Sequence, residues 1–304
     1  MELHSFEELA EQVKKNPNKK RMVVAAANDD HTLKAVMHAV HEGIVTPVLV
    51  GDRKKIGEIL EQLGESVPDE SIIDCSEPAE AAQKAVDLIR EGKADFVMKG
   101  TLDTKVILKA VVNPEHGLGK GRTMSHFCII EIPRAHKMIS VVDGGMVTYP
   151  TLEQKKDIIN NTVETFRAIG YDCPKVAVLS CVEKVNPKMP ETVDARALQE
   201  MNERGEIPNC IVEGPISYDC AMDPEIAKFK GFESRISGDV DILVTPDIHT
   251  GNILGKAYTV TCGSKMAGFI VGAKCPVVVT SRSSSPEEKY NSIMLCASLG
   301  NVVK

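Results

Sequence analysis

The chain has 304 residues, of which 43% are hydrophobic and 26% are charged, and its 36 basic and 43 acidic residues give a formal net charge of −7. This length allows two domains with full hydrophobic cores, and the ordinary composition excludes a disordered or low-complexity chain. Aromatic residues make up only 4%, and tryptophan is absent. Because a general nucleic-acid binder needs basic surface and stacking rings, we expect no nucleic-acid partner, and local groups must hold any anionic ligand.

The cellular compartment is indicated by the cysteines and by the hydropathy of the chain. The nine cysteines are dispersed and include no C-x-x-C pair, which is typical of free thiols in a reducing compartment. The charged N-terminal segment lacks the apolar core of a secretory signal. No apolar run reaches the roughly 18 residues that a membrane span needs. We therefore expect a cytoplasmic protein with no membrane partner.

Short β-branched runs alternate with longer segments of helical period along the whole chain. Strands are predicted at residues 22–27, 47–50, 71–74, 94–98, 127–132, 138–142, 175–180, 209–214, 241–246, 268–272 and 276–280. Strands separated by helices of about 10 to 15 residues indicate βαβ units and a parallel sheet. The close neighbours 127–132 and 138–142 predict one antiparallel hairpin, so the fold class is α/β with a mixed sheet.

Two helices carry recognisable start signals. Thr151 and Gln154 predict a capping box for a helix over 152–169, which Gly170 ends. Ser76 is expected to cap the helix that leads into the strand at 94–98. A soft boundary near residues 142–145 divides the chain into a first α/β domain, 1–142 plus 276–304, and a second α/β domain, 143–275.

Several common motifs are absent or incomplete. The turn after the first strand, 27–31, has no glycine, which excludes a dinucleotide-binding G-x-G-x-x-G. The segment 251–256 lacks the spacing and the hydroxyl of a phosphate-binding P-loop. His38 and His41 share a helix face next to Glu42, but no second ligand pair has suitable spacing, so we expect no metal site.

Three strand-to-helix turns carry the polar groups expected of a substrate site. Such turns bind anions readily in open α/β sheets, because peptide N–H groups and the helix dipole point at the ligand. Lys99 adds a cation to the first turn, and the hydroxyl-rich third turn ends in paired carboxylates. The residues that we expect to bind substrate at the first two turns are Gly100, Thr101, Thr104, Lys109, Asp247, Gly251 and Asn252.

The third turn, 280–288, has two interpretations. Ser285 as N-cap, Pro286 at the first helical position and acidic residues in the first turn would explain the segment by helix capping alone. Arg282, however, has no capping role at the carboxyl end of an apolar strand, and its guanidinium can bind phosphate or carboxylate in a bidentate manner. This arginine favours a functional site.

Taken together, the turns resemble the phosphate acetyltransferase and phosphate butyryltransferase family. The resemblance is spread over most of the chain, and PD-x-x-x-GN together with the terminal SR segment is its most specific part. VNPKMP and TSR-x-x-SPE are more similar to the butyryl branch than to the acetyl branch. The segments that carry the resemblance are ADFVMKGTLDTKVILKAVVN, VVDGGMVTYPTLEQK, VNPKMPETVDARAL, IVEGPISYDCAM, GDVDILVTPDIHTGNILGKA and GFIVGAKCPVVVTSRSSSPEE.

The resemblance implies a fold and a reaction. The fold would be a two-domain open mixed-sheet α/β structure of the isocitrate/isopropylmalate dehydrogenase-like type, with helices on both faces. The reaction would be the reversible conversion of a short-chain acyl-CoA and inorganic phosphate to an acyl phosphate and free CoA. It would use no metal and no cofactor besides coenzyme A as substrate or product. The family also implies a homodimer or higher homo-oligomer, with the second domain at the interface.

Residue by residue, the resemblance makes Ser281 the active-site serine, Arg282 the substrate-binding arginine and Glu288 the carboxylate seven residues after the serine. The acetyl branch has aspartate at that carboxylate, and Glu287 competes with Glu288 for its role. Lys109 stands where the acetyl branch has arginine and loses the bidentate geometry.

The reaction sets requirements for these groups. The CoA thiol, with a pKa near 8.5, needs a base, and the tetrahedral oxyanion needs a hydrogen-bond donor. A carboxylate can serve as that base only if burial raises its pKa. No histidine partner for Ser281 is identifiable, so we expect direct transfer rather than an acyl-serine.

Three alternatives remain open. The chain could be a phosphate acetyltransferase rather than a butyryltransferase. It could be a non-catalytic acyl-CoA-sensing domain, although the retained Ser281-Arg282 pair favours an enzyme. A metal-dependent dehydrogenase of the same architecture has less support, because Asp239, Asp241 and Asp247 are explained by strand-edge and turn roles.

Overall fold

The computed structural model describes residues 2–280 and 284–300. The chain forms two compact units. The central unit comprises Met1–Ser5 and Thr123–Met266, and the N/C unit comprises Phe6–Arg122 and Ala267–Lys304. No helix among the described residues combines the length and the apolar composition needed to cross a bilayer.

The elements follow the predicted alternation of strands and helices. From residue 6 to residue 122 they are α1 Phe6–Lys14, β1 Lys20–Ala25, α2 Asp30–His41, β2 Val45–Gly51, α3 Arg53–Leu63, a 3₁₀ turn Asp69–Ser71, β3 Ile72–Asp74, α4 Pro78–Arg90, β4 Phe96–Lys99 and α5 Thr104–Val111. From residue 123 onwards they are β5 Ser125–Glu131, β6 Ile139–Val142, α6 Leu152–Ile169, β7 Lys175–Leu179, α7 Pro190–Glu203, β8 Ile211–Ile216, α8 Tyr218–Met222, α9 Pro224–Phe229, β9 Ile242–Val244, α10 Ile248–Lys256 and a π-helix Ala257–Thr261. The remaining elements are β10 Lys265–Val271, β11 Val277–Val278 and α11 Pro286–Ser298.

The N/C unit is built on strands in the order β3-β2-β1-β4-β11-β10. All neighbours in this order are parallel except β10 and β11, which pair antiparallel through Ile270 and Val277. Residues 22–25 of β1 and all of β4 are buried without alternation. Continuous burial is expected where helices cover both faces of a parallel sheet.

The central unit orders its strands β5-β6-β9-β7-β8. The predicted hairpin is confirmed, because β5 and β6 pair antiparallel with Ile129 opposite Ser140. The other neighbours are parallel. Its core includes Ile130, Ala177, Leu243 and Cys220.

The division into units differs from the expected domain boundaries of 1–142 plus 276–304 and 143–275. Residues 123–142 belong to the central unit, because β6 hydrogen-bonds to β9 as well as to β5. Residues 267–275 belong to the N/C unit, in which β10 pairs with β11. The sequence of a hairpin does not indicate which compact unit the hairpin joins.

The two helix-start predictions have different outcomes. Thr151 and Gln154 form the predicted capping box, and Gly170 ends α6 in the left-handed conformation with φ 113°. The prediction that Ser76 caps the next helix was wrong: α4 has Glu77 as its N-cap and no side-chain cap. Pro78 at the first helical position pre-sets the helical φ there and itself lacks one of the N–H groups that a cap would satisfy.

A buried charge network lies at the amino-terminal ends of β6, β7 and β9. The Lys137 ammonium is almost fully buried and lies 2.5 Å from Asp239 Oδ1 and 2.7 Å from Asp241 Oδ1. Lys175 pairs with Asp239 and donates its backbone N–H to Asp241 Oδ2 at 2.7 Å. Burial raises the pKa of Asp241. Burial also works to lower the pKa of Lys137, but hydrogen bonds to Asp239 and Asp241 outweigh it and raise that pKa.

Replacing Lys137 with methionine should therefore cost about 3–5 kcal/mol of unfolding free energy, because it leaves a buried carboxyl group without its cation. The loss should be smaller at pH 5 than at pH 8, since protonation can neutralise Asp241, whose pKa is already raised. Urea denaturation at the two pH values measures both effects.

Lys156→Met is the matched control for this prediction. Its ammonium lies 3.0 Å from Glu206 in a far more exposed pair of the same unit, and such a pair contributes about 0–1 kcal/mol. Equal losses in the two variants would contradict a special role for burial.

Candidate functional site

The first predicted turn follows β4 and packs against the end of β1. Gly100 donates its N–H to Ala25 O at 2.8 Å, and Thr101 donates its N–H and its hydroxyl to Ala26 O at 2.9 and 3.0 Å. A Cβ on Gly100 would lie 2.1 Å from Ala26 O. Only glycine therefore allows this approach of the two chain segments.

Side chains of the same turn hold its shape. The buried Lys99 ammonium donates to Gly100 O and Leu102 O, each at 3.0 Å. These bonds engage Lys99 within the turn, whereas Lys109 is exposed in the last turn of α5. Thr104 is half-buried at the start of α5.

The N-terminus of α5 carries a carboxyl group of its own chain. Asp103 caps the helix and accepts the N–H of Lys105 at 3.1 Å. A carboxylate at this position offsets part of the positive end of the helix dipole. The turn therefore attracts an external anion less than an uncapped helix end would.

The third turn begins beside the first one. β11 runs parallel to β4 with Val278 opposite Met98. The two segments that follow these strands therefore leave the sheet at the same edge of the N/C unit. Two predicted site residues in this turn, Ser281 and Arg282, lie outside the described residues. The predicted N-cap is confirmed, because Ser285 Oγ accepts the N–H of Glu288 at 3.1 Å.

The structure separates the two candidate carboxylates on α11. Glu287 is exposed, whereas Glu288 is half-buried and accepts a hydrogen bond from Ser284 Oγ at 2.7 Å. Burial raises the pKa of Glu288, although the Ser284 hydrogen bond opposes that shift. A raised pKa is what a carboxylate needs to accept a proton from a thiol.

The second predicted turn lies in the central unit, after β9. Asp247 caps α10 and accepts the N–H and the hydroxyl of Thr250 at 2.8 and 3.0 Å. Burial works to raise the pKa of Asp247, but these hydrogen bonds outweigh it and lower the pKa. Asp247 is therefore ionised at neutral pH and caps the helix like Asp103.

Gly251 and Asn252 of this turn meet a loop that follows β6. A Cβ on Gly251 would lie 2.6 Å from Asp143 O and 2.9 Å from Gly144 Cα. Asn252 Nδ2 donates to Gly144 O at 3.1 Å. The predicted turn and the loop are thus in direct contact.

Sequence reasoning missed the residue that organises this loop. The Asp143 carboxylate is buried and accepts four backbone N–H groups at 2.8 to 3.2 Å, from His126, Gly145, Met146 and Val147. The signal was an aspartate directly before two glycines at the end of a buried strand. We call residues 143–149 the Asp143 loop.

His126 lies against this loop and was also missed. A Cβ on Gly145 would lie 3.0 Å from the ring Cγ of His126. The ring Nδ1 is buried and has no hydrogen-bond partner within the described ranges. Burial lowers the pKa of His126, although the Asp143 carboxylate opposes this, so the imidazole is neutral at pH 7. A single histidine at the start of a strand gives no signal in the sequence.

One cluster in the described part of the chain has metal-ligand chemistry. Glu183, Asp219 and Cys220 have possible ligand atoms within 4.8 Å of one another. Lys230 already lies between the carboxylates, with its ammonium 3.1 Å from Glu183 and 2.9 Å from Asp219. Lys230 therefore already occupies the space between the two carboxylates and offsets part of their charge.

Open α/β sheets with glycine, hydroxyl, amide and carboxyl groups at their strand-to-helix turns are typical of enzymes that bind small-molecule ligands outside the carboxyl ends of the strands. Residues 5–82 and 75–297 match the family model described as phosphate acetyl/butaryl transferase. This chain therefore belongs to that family of acyltransferases.

Individual relatives agree over nearly the full length. The chain is 43% identical to a phosphate butyryltransferase of Clostridium acetobutylicum over 97% of this chain and 98% of the relative. It is 44% identical to a phosphate acetyltransferase of Thermotoga maritima over 91% and 94%. A crystal structure of a branched-chain phosphotransacylase from Enterococcus faecalis V583 superposes with a TM-score of 0.79 at 32% identity, covering 92% of this chain and 98% of that one.

The contact between Gly251 and the Asp143 loop yields a prediction on stability. Gly251→Ala should lower the free energy of unfolding by about 1–3 kcal/mol, because the new methyl group overlaps backbone atoms that are fixed by other hydrogen bonds. Gly255→Ala in the same helix is the control, since a Cβ there meets nothing within 4 Å. It should be neutral or stabilise by about 0.5–1 kcal/mol. Urea denaturation of both variants would contradict the packing argument if Gly251→Ala were the milder change.

Proposed function

We propose that this protein interconverts a short-chain acyl-CoA and inorganic phosphate with an acyl phosphate and free CoA, with butyryl as the preferred acyl group. The observation that carries the proposal is the match with named phosphate acyltransferases over nearly the whole of both chains. Acetyl is the alternative group, because identity to the acetyltransferase is 44% and identity to the butyryltransferase is 43%.

Phosphate would be held by Ser281 and Arg282 together with Gly100, Thr101, Thr104 and Lys109. The register of β11 on β4 supports this assignment, since Val278 lies opposite Met98 and the two strands end at the same edge of the sheet. The planar guanidinium binds two phosphate oxygens in a fixed bidentate geometry, which the ammonium group of a lysine does not impose. Arg282 would therefore orient the phosphate, and Lys109 would contribute charge alone.

Glu288 would be the base, and Glu287 would not. In the direction of acyl-CoA formation, the thiol proton passes to the Glu288 carboxylate while sulfur attacks the acyl carbon. The Ser281 hydroxyl donates to the oxyanion of the tetrahedral intermediate. The bond from the acyl carbon to the phosphate oxygen then breaks, and the proton returns from Glu288 to the leaving phosphate. No bond to the enzyme forms in this sequence, and no metal takes part.

The test of the proposal is a thiol-release assay with acetyl-, propionyl- and butyryl-CoA. We expect free CoA to appear only when phosphate is added, with the highest kcat/KM for butyryl-CoA and no change on addition of EDTA. Turnover without phosphate would contradict the reaction, and inhibition by EDTA would contradict its metal-free form. Saturable acyl-CoA binding without turnover would indicate a sensor instead.

The choice of base yields a separate prediction. Glu288→Gln should lower kcat/KM by about 10²-fold, the usual scale for loss of a general base. Because burial raises the pKa of Glu288, the rising limb of the wild-type pH profile should lie above the ordinary range of glutamate and should disappear in the variant. Glu287→Gln, one residue away and exposed, is the control and should leave both rate and profile unchanged. The reverse pattern would assign the role to Glu287.

We also propose that the protein is a homo-oligomer, at least a dimer, that associates through its central unit. Exposed apolar side chains of this unit support the proposal: Phe229 is 93%, Val260 82% and Ile253 69% exposed. Of the residues near them in sequence, Ala227 and Tyr258 belong to one hydrophobic cluster, and Leu254 packs against it. Sedimentation equilibrium should give at least twice the 33.0 kDa of one chain, and a monomer at micromolar concentration would refute it.

The cytoplasm is the compartment we propose. All nine cysteines are free thiols, and five of them are buried. A homogeneous disulfide-bonded species in the protein isolated without reductant, detected by mass spectrometry, would refute this assignment.

A further inference from the structure

The side-chain amide of Asn252 has only one possible orientation. Its neighbour at 3.1 Å is Gly144 O, and a carbonyl oxygen can only accept a hydrogen bond. The NH₂ group must therefore face Gly144, which directs Oδ1 away from it. Asn252 is exposed, and its Oδ1 accepts no hydrogen bond from any described residue. The turn thus presents a hydrogen-bond acceptor.

This acceptor is held in place before any ligand arrives. Gly144 belongs to the Asp143 loop, whose backbone the buried Asp143 carboxylate holds. The loop contacts α10 at two further points. Ile248 donates its N–H to Thr148 O at 3.1 Å, and Tyr149 Oη lies 3.1 Å from His249 Nε2.

The possible ligands differ in what they offer to this acceptor. An acyl phosphate dianion has only accepting oxygens, and the inorganic phosphate dianion has a single P–O–H donor. Coenzyme A, in contrast, offers four donors on its pantetheine arm, namely the pantoyl hydroxyl, two amide N–H groups and the thiol S–H.

We propose that Asn252 Oδ1 accepts a hydrogen bond from the pantetheine arm of coenzyme A, which makes the PD-x-x-x-GN turn a coenzyme subsite and not a phosphate subsite. Asp143 is a positioning residue for this subsite, acting through Gly144 and the amide of Asn252. The inference rests on the proposed function for its ligand, and it revises the expectation that all three turns serve anions.

The experiment compares Asn252→Ala with Lys256→Ala, an exposed residue at the end of the same helix. Loss of one hydrogen bond of about 0.5–1.5 kcal/mol should raise the KM for CoA roughly two- to twelvefold in Asn252→Ala. The KM for phosphate, measured with acyl-CoA as the second substrate, should change less than about twofold, because Asn252 would make no contact with phosphate. Lys256→Ala should match the wild type in both, and thermal melting checks that both variants fold.

Calorimetric titration separates this inference from the proposed function. CoA and desulfo-CoA are titrated into wild type and Asn252→Ala, so the result does not depend on turnover. Weaker binding of both ligands to the variant assigns the hydrogen bond to a pantetheine amide or to the pantoyl hydroxyl, and weaker binding of CoA alone assigns it to the thiol. Unchanged CoA affinity, or a change in the KM for phosphate instead, would overturn the proposal even if the wild type proved to be an active acyltransferase.

Discussion

The structure depends on one constraint: parallel strands must be joined by crossover connections. The carboxyl ends of the parallel strands in each unit therefore lie at the same edge of the sheet. In the N/C unit this constraint brings the ends of β4 and β11 side by side, although residues 98 and 278 are far apart in the chain. In the central unit it brings the end of β6 to the end of β9, and thereby Asp143 and Gly144 to Gly251. The candidate residues are neighbours because of strand direction, and their side chains then determine what each edge can bind.

The four-residue strand β6 shows how the edge is kept in register. Lys137, just before the strand, is buried against Asp239 and Asp241, and Asp143, directly after it, is buried among four N–H groups. One charged group at each end thus adds to the hydrogen bonds that β6 makes with β5 and β9. Because a buried charge is costly unless it is paired or hydrogen-bonded, any shift of β6 along its neighbours would leave one of these groups unsatisfied. Because the Asp143 loop follows β6 directly, the position of the loop is fixed together with that of the strand.

Helix capping and chemistry are not exclusive alternatives at α11. Ser285 uses its hydroxyl as the cap for the N–H of Glu288, and Ser284 donates to the carboxylate of the same residue. The cap thus orients the helix that carries Glu288, and the neighbouring hydroxyl orients its side chain. In α5 and α10, by contrast, the caps are carboxylates, which offset the dipole of their own helices. The same structural role therefore has different electrostatic consequences at the three turns.

The sequence by itself determined the order of strands and helices, the antiparallel pairing of β5 with β6, the capping box at Thr151 and the cap at Ser285, because each depends on hydrophobic period or on contacts within a few residues. It also indicated which turns carry polar groups. Only the tertiary structure decided that the hairpin joins the central unit, that Glu288 is half-buried while Glu287 is exposed, and that the Asn252 amide turns its acceptor outward. Those features depend on which residues from distant parts of the chain pack against a given side chain. Burial, and with it pKa and amide orientation, is a property of that neighbourhood and has no local signal.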